Sequence, residues 1–196
     1  MADLAKLQKN LEERGFTVTR FDTAAQAADY LDAALDGKSV GIGGSVTIQE
    51  MGLAERLREH AQVLWHWAGS TTQAAAGAQV YLTSVNGAAE TGELINIDGT
   101  GNRVASGLFG HEKVYFVVGR NKVAPDYDAA LWRARNIAAP KNAQRLGRKT
   151  PCAAKGDRCY DCKSPGRICR ALTVLWEKPK GIPVMEILLV NQPLGL

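Results

Sequence analysis

Several residues that announce a function are scarce in this sequence. Its 196 residues include only three histidines, His60, His66 and His111, and none stands beside a serine or cysteine in a nucleophile motif, so no role is assigned to them. No apolar run approaches the ~20 residues that a membrane helix needs. The start, Met1 to Asn10, alternates polar with apolar residues in place of a signal-type apolar block. Internal repeats and low-complexity tracts are also missing. These absences argue against a membrane partner and for a cytoplasmic protein, expected to form one main domain over residues 1–196.

The hydrophobic share of 45% and charged share of 22% are those of an ordinary globular chain. Charge is unevenly spread. Arg133 to Lys180 holds thirteen Lys and Arg against Asp157, Asp161 and Glu177, a local balance of +10, which leaves −6 for the rest of a chain whose total is +4. A basic segment of this kind attracts nucleic acid, an anionic small molecule, an acidic partner or a negatively charged metal centre. Nucleic acid is the weakest of these, because no stacking platform or named binding motif accompanies the charge.

The hydrophobic pattern predicts alternating helices and strands. Leu4, Leu7 and Leu11 recur at helical spacing with Gly15 as a stop, and residues 16–21 alternate like a strand. A second helical stripe, Ala27, Leu31, Ala34 and Leu35, ends at Gly37 before a short strand at 39–42. A helix over 48–59, strands at 63–67 and 80–85, and a short helix at 71–76 between them follow. Val114 to Val118 reads as a buried strand, 126–138 as a helix ending before Pro140, and 182–191 as a last strand. The fold class implied is α/β, a mostly parallel sheet flanked by helices. Trp65 and Trp67 fall to the core or an interface.

Two polar glycine-rich segments are the candidate ligand site. Gly41-Ile42-Gly43-Gly44-Ser45-Val46-Thr47 sits where a strand passes into a helix, so its amides and the Ser45 and Thr47 hydroxyls suit a phosphate or carboxylate. A tight turn with Ser45 as helix cap is the plainer reading. No dinucleotide or P-loop spacing is present. Glu50, further along, reads as a solvated helix residue. The second segment, Glu90 to Arg103, concentrates Glu90, Asn96, Asp98, Asn102 and Arg103 around Gly99 and Gly101, with turn geometry as the alternative use of its glycines. Glu90 or Asp98 is the candidate general base. Lys122 follows the best strand, where open α/β sheets bind ligands, unless it is a surface lysine.

The third constellation is Cys152, Cys159, Cys162 and Cys169, the only cysteines. Residues 141–170 are basic and poor in aliphatic side chains, so something other than a core must order them. Four thiols within eighteen residues fit a soft metal, Zn or an iron–sulfur cluster, better than disulfides. A redox-labile Cys159-x-x-Cys162 pair or unligated thiols are the alternatives.

Taken in order, Gly43-Gly44-Ser45-Val46-Thr47, Asn96-Ile97-Asp98-Gly99-Thr100-Gly101-Asn102-Arg103, Val118-Gly119-Arg120-Asn121-Lys122-Val123 and Ala139-Pro140-Lys141-Asn142-Ala143 resemble the LUD (lactate utilization, YkgG-like) family over roughly residues 5–190. The cysteine segment looks like that of short stand-alone members. This resemblance implies an α/β sandwich similar to the superfamily of glucosamine-phosphate deaminase, ribose-5-phosphate isomerase and CoA transferases, with the Cys-rich stretch as an excursion. It also implies association with lactate or related organic-acid oxidation beside iron–sulfur proteins, whose company favours a cluster over Zn. Alternatives are an isomerase or acyl/CoA-transferase-like enzyme, and a non-catalytic subunit or scaffold that docks an iron–sulfur partner. Whether the chain turns over a substrate is left open by the sequence.

Overall fold

The computed structural model describes residues 2–196. Helix α1 (Leu4–Glu13) buries Leu4, Leu7 and Leu11 on one face, and its first turn is capped by the Asp3 carboxylate, which accepts from the amides of Ala5 and Lys6. Strand β1 (Thr17–Phe21) follows. Helix α2 (Ala24–Ala34) opens with a capping box in which Thr23 and Gln26 satisfy each other's backbone amides. After β2 (Ser39–Ile42), the expected single helix over 48–59 is instead two, α3 (Val46–Glu50) and α4 (Leu53–Leu57), divided where Gly52 turns left-handed at φ 61°.

Strand β3 (Gln62–Trp65) is shorter than its apolar run, because His66–Ala68 coil into a single tight turn. That turn lifts Trp67, expected in the core or an interface, to 36% exposure. Helix α5 (Thr72–Ala76) leads to β4 (Val80–Ser84), then β5 (Gly87–Ala89), β6 (Leu94–Asp98), α6 (Asn102–Ser106) and β7 (Lys113–Gly119). Beyond the two-residue β8 (Val123–Ala124), α7 (Tyr127–Arg133) does not stop before Pro140. A wider π turn over Ala134–Ala138 carries it into α8 (Ala139–Arg145), and Pro140 sits in the first turn of α8. The widened turn and the first-turn position spare the proline a ring clash and a lost amide bond. A short α9 (Pro151–Lys155), then β9 (Ala171–Leu175) and β10 (Val184–Val190) complete the order.

The parallel sheet expected from the sequence is present, six strands in the order β1-β10-β7-β4-β2-β3 with every neighbouring pair parallel. Alternate residues of its central strands feed two cores. Tyr115, Val117, Leu188 and Val190 face Leu31, Ile48 and Leu53, whereas Val114, Phe116, Ile187 and Leu189 face Leu7 and Leu11. Helices on both faces explain why these strands read as continuous apolar runs. A second sheet, β8-β5-β6-β9, was not visible in the sequence; its β6 pairs antiparallel with both β5 and β9. It packs on α7 and the π turn after it through Ile95, Ile97, Ala130 and Ala134. Among the described residues, no helix is long and apolar enough to cross a membrane.

Candidate functional site

In the six-stranded sheet the chain steps outward from β2 to β3, then returns to the other side of β2 with β4 and continues to β7. Strand order therefore reverses between β2 and β4, and ligands bind open α/β sheets at the carboxyl ends of strands around such a point. A cleft of about 270 Å³ lies there.

From β2, Gly43 and Gly44 lead into α3, whose cap is Ser45; its hydroxyl accepts from the Ile48 amide at 3.4 Å. Both glycines permit close approach. A Cβ on Gly43 would stand 2.8 Å from both Arg103 Cγ and the Tyr81 hydroxyl, and one on Gly44 would stand 3.2 Å from the Trp67 ring. The Gly43 amide is already spent on the Leu82 carbonyl at 3.2 Å.

From β6, Asp98 organises the turn into α6. One carboxylate oxygen accepts from the amides of Gly99 (2.7 Å) and Thr100 (3.3 Å), and the other from those of Arg103 (2.9 Å) and Val104 (3.2 Å). Gly101 adopts φ 94° just before the helix, a conformation few other residues tolerate. The turn aims the Arg103 side chain back over the strand, where its guanidinium donates to the Ile97 carbonyl at 2.6 Å and the Asn96 side-chain oxygen at 3.5 Å.

Lys122, beyond the end of β7, forms the floor and is 4% exposed. Its ammonium donates to the hydroxyls of Thr47 (2.7 Å) and Ser84 (2.8 Å). Among the described residues no carboxylate lies within ion-pair distance of it. Burial pushes its pKa down to about 7, and Arg133 and Arg103 press the same way against a weaker opposite pull from Glu50. Arg133, behind the floor, donates to the Asn121 carbonyl and is itself pushed by burial down to about 10. At the mouth, Arg145 stacks on Trp67 with 4.8 Å between guanidinium carbon and ring centroid, and Arg148 lies beside it on the wall. Burial holds His66 below its ordinary pKa, against the pull of Asp98. Four cations, Arg103, Lys122, Arg145 and Arg148, thus surround a cleft whose one acidic side chain, Asp98, already has its oxygens on backbone amides.

Gly44, Ser45, Thr47, Asp98, Gly99, Asn102, Arg103 and Lys122 all line this cleft, so the structure unites most of the residues singled out in the sequence. Gly43, Asn96 and Gly101 stand behind them, supporting Arg103 and the Asp98 turn. Glu90 is elsewhere. It ties α1 to the second sheet, accepting from the Asp3 amide at 2.9 Å and from Lys6 Nζ at 3.3 Å. Glu50 is exposed, as expected, but accepts from the Gly195 amide at 2.6 Å. Sequence reasoning missed Trp67, Ser84, Asn86, Asn142, Arg145 and Arg148. Ser84 and Asn86 carry a usable signal, polar residues at the end of an apolar strand. The arginines belong to the basic segment already marked as attracting an anion, but nothing in the sequence brings that segment to this cleft, which Arg145 reaches because the helix passes through Pro140. Cys152, Cys159, Cys162 and Cys169 line a separate small cavity next to the cleft.

Against known proteins, a family model described as LUD domain matches residues 4–190. A search of curated proteins gives no match. Among solved structures, the chain is similar to a DUF162 family protein from Deinococcus radiodurans, at 16% identity and a TM-score of 0.58 with 96% of each chain covered. At that identity the likeness speaks for the fold alone.

Proposed function

This chain belongs to the LUD domain family, and we propose that it acts as one cytoplasmic unit in lactate or related organic-acid oxidation by binding a small anionic ligand in the cleft. The observation that carries this reading is Lys122, a buried cation at the floor of the cleft whose near partners are hydroxyls. Burying an unpaired ammonium is unfavourable, and an arriving carboxylate or phosphate offsets that cost. Arg103 on the wall and Arg145 at the mouth extend the same preference along the path of entry. The volume suits a compact metabolite better than a dinucleotide.

The Asp98 carboxylate, held by four amides, frames the site in this reading and does not abstract a proton. Lys122 receives the anion as its ammonium form, which the bound negative charge in turn favours. Calorimetric titration with lactate, pyruvate, ribose 5-phosphate and acetyl-CoA tests the reading. At least one binds the natural chain, and Lys122→Met and Arg145→Ala each weaken it by at least about tenfold. If none binds, or both variants bind as the natural chain does, the reading is wrong.

A further inference from the structure

We infer that Cys152, Cys159, Cys162 and Cys169 hold one divalent metal ion of the zinc class, and that this centre fixes one wall of the anion cleft. All four cysteines are free thiols, and all four line one cavity of about 20 Å³ beneath α8, walled by Pro140, Ala143 and Ile168. That space admits about one atom-sized guest. Four thiolates closing on one guest make the tetrahedral donor set that a single zinc-class ion takes, and the inference commits to that ion over the cluster that the family's company favours. As placed, the described His, Cys, Asp and Glu side chains form no group of three at ligating distance, and closing on an ion turns the thiols inward.

Donors surround the sulfurs. The Asp161 amide points at Cys159 Sγ from 3.3 Å and Arg135 from 3.8 Å, and the Thr150 hydroxyl lies 3.3 Å from Cys152 Sγ. Arg167 donates to the backbone carbonyls of Cys169 at 2.8 Å and Cys162 at 2.9 Å, which sets its charge beside both cysteines. Such donors stabilise thiolates, the form that ligates, and Arg135 and Arg167 offset the net negative charge of four thiolates on one divalent ion. Asp161 lies between Cys159 and Cys162 with φ 45°, a left-handed backbone uncommon outside glycine. That conformation turns its amide onto the Cys159 sulfur. The stretch from 156 to 170 has neither helix nor strand and only Ile168 as an aliphatic anchor, so four metal–sulfur bonds supply the ordering free energy a core would otherwise provide.

The link to the cleft runs through Ile168, which lines both cavities. A Cβ on Gly99 would meet the Ile168 carbonyl at 2.7 Å, and the Arg170 amide donates to the Asp98 carbonyl at 2.9 Å. The cysteine segment therefore braces the turn that holds Arg103. This second clause rests on the anion-binding reading; the metal itself does not.

The experiment is anaerobic purification of the full chain from medium supplied with both zinc and iron, followed by elemental analysis, a sulfide assay and X-ray absorption. One zinc per chain, no sulfide, and a first shell of about four sulfurs at about 2.3 Å are expected. Cys159→Ser and Cys162→Ser each lower zinc retention against a chelator by more than about tenfold. Their far-ultraviolet dichroism stays that of the natural chain, because the six-stranded sheet lies outside the segment. Stripping the metal exposes residues 156–170 to trypsin and weakens pyruvate binding. Iron with stoichiometric sulfide, two disulfides, or a metal-free chain whose segment resists trypsin would each overturn the inference. If the metal is present and pyruvate fails to bind the loaded protein, the fault lies with the cleft reading.

Discussion

Affinity of the cleft for an organic anion is expected to fall as pH rises through neutrality, because the group at its floor changes charge there. Lys122 has its pKa lowered from 10.5 to about 7 in the folded chain. A group with that pKa is about nine-tenths protonated at pH 6 and about one-tenth at pH 8. When only the ammonium form welcomes the anion, the observed dissociation constant rises about tenfold between those two values, and binding takes up a proton above pH 7. Lactate and pyruvate stay ionised throughout, so the protein supplies the change. Calorimetry at pH 6, 7 and 8, in buffers of different ionisation enthalpy, reads both the affinity and the proton. Lys122→Met flattens the profile, whereas His66→Gln, which removes the other titrating group on the wall, leaves it in place. Stability carries the matching sign. Between about 7 and 10.5 the unfolded chain binds the extra proton, so Lys122 makes stability rise with pH across that window, and the methionine variant loses the rise. An affinity constant from pH 6 to 8, or one that tightens with pH, would refute the reasoning.

Other outcomes follow from the same geometry. Asp98→Ala strips the acceptors from four backbone amides and is expected to cost about 2–4 kcal/mol in urea unfolding, with an unchanged midpoint as the contrary result. Gly41→Ala places a Cβ 2.1 Å from the Ala75 carbonyl oxygen and destabilises by about 3 kcal/mol in thermal unfolding. Gly43→Ala, whose Cβ meets both Arg103 Cγ and the hydroxyl of the buried Tyr81 at 2.8 Å, lowers stability by about 1–3 kcal/mol and weakens pyruvate binding. Glu90→Gln lowers stability by about 1 kcal/mol and leaves pyruvate affinity untouched; loss of binding would return Glu90 to the site.

The main sheet was legible because each strand and its covering helix carry their own periodicity. Leu4, Leu7 and Leu11 announce α1, and Val114 to Val118 announce β7, without reference to distant residues. The second sheet was not, because β6 and β9 lie far apart in sequence and pair as Asn96 with Thr173 and Asp98 with Ala171, and β5 and β8 are only three and two residues long. Pro140 misled for a physical reason. A proline ends a regular helix, but the π turn before it removes the clash, and so Asn142 and Arg145 arrive at the cleft. In the glycine segments the residues marked the place, and the structure adds a second use for the glycines. Gly43 and Gly44 admit Arg103 and Trp67, side chains from other parts of the chain that only the tertiary structure identifies.

The central claim, that the cleft at the strand reversal receives a small anion, is tested most directly by crystals soaked with pyruvate. Difference density for its carboxylate is expected above Lys122 Nζ, between Arg103 and Arg145, with the Thr47 and Ser84 hydroxyls retaining their bonds to the lysine. A well-ordered cleft that stays empty under saturating pyruvate, lactate, ribose 5-phosphate and acetyl-CoA in turn, or binding of these only elsewhere on the chain, would contradict it.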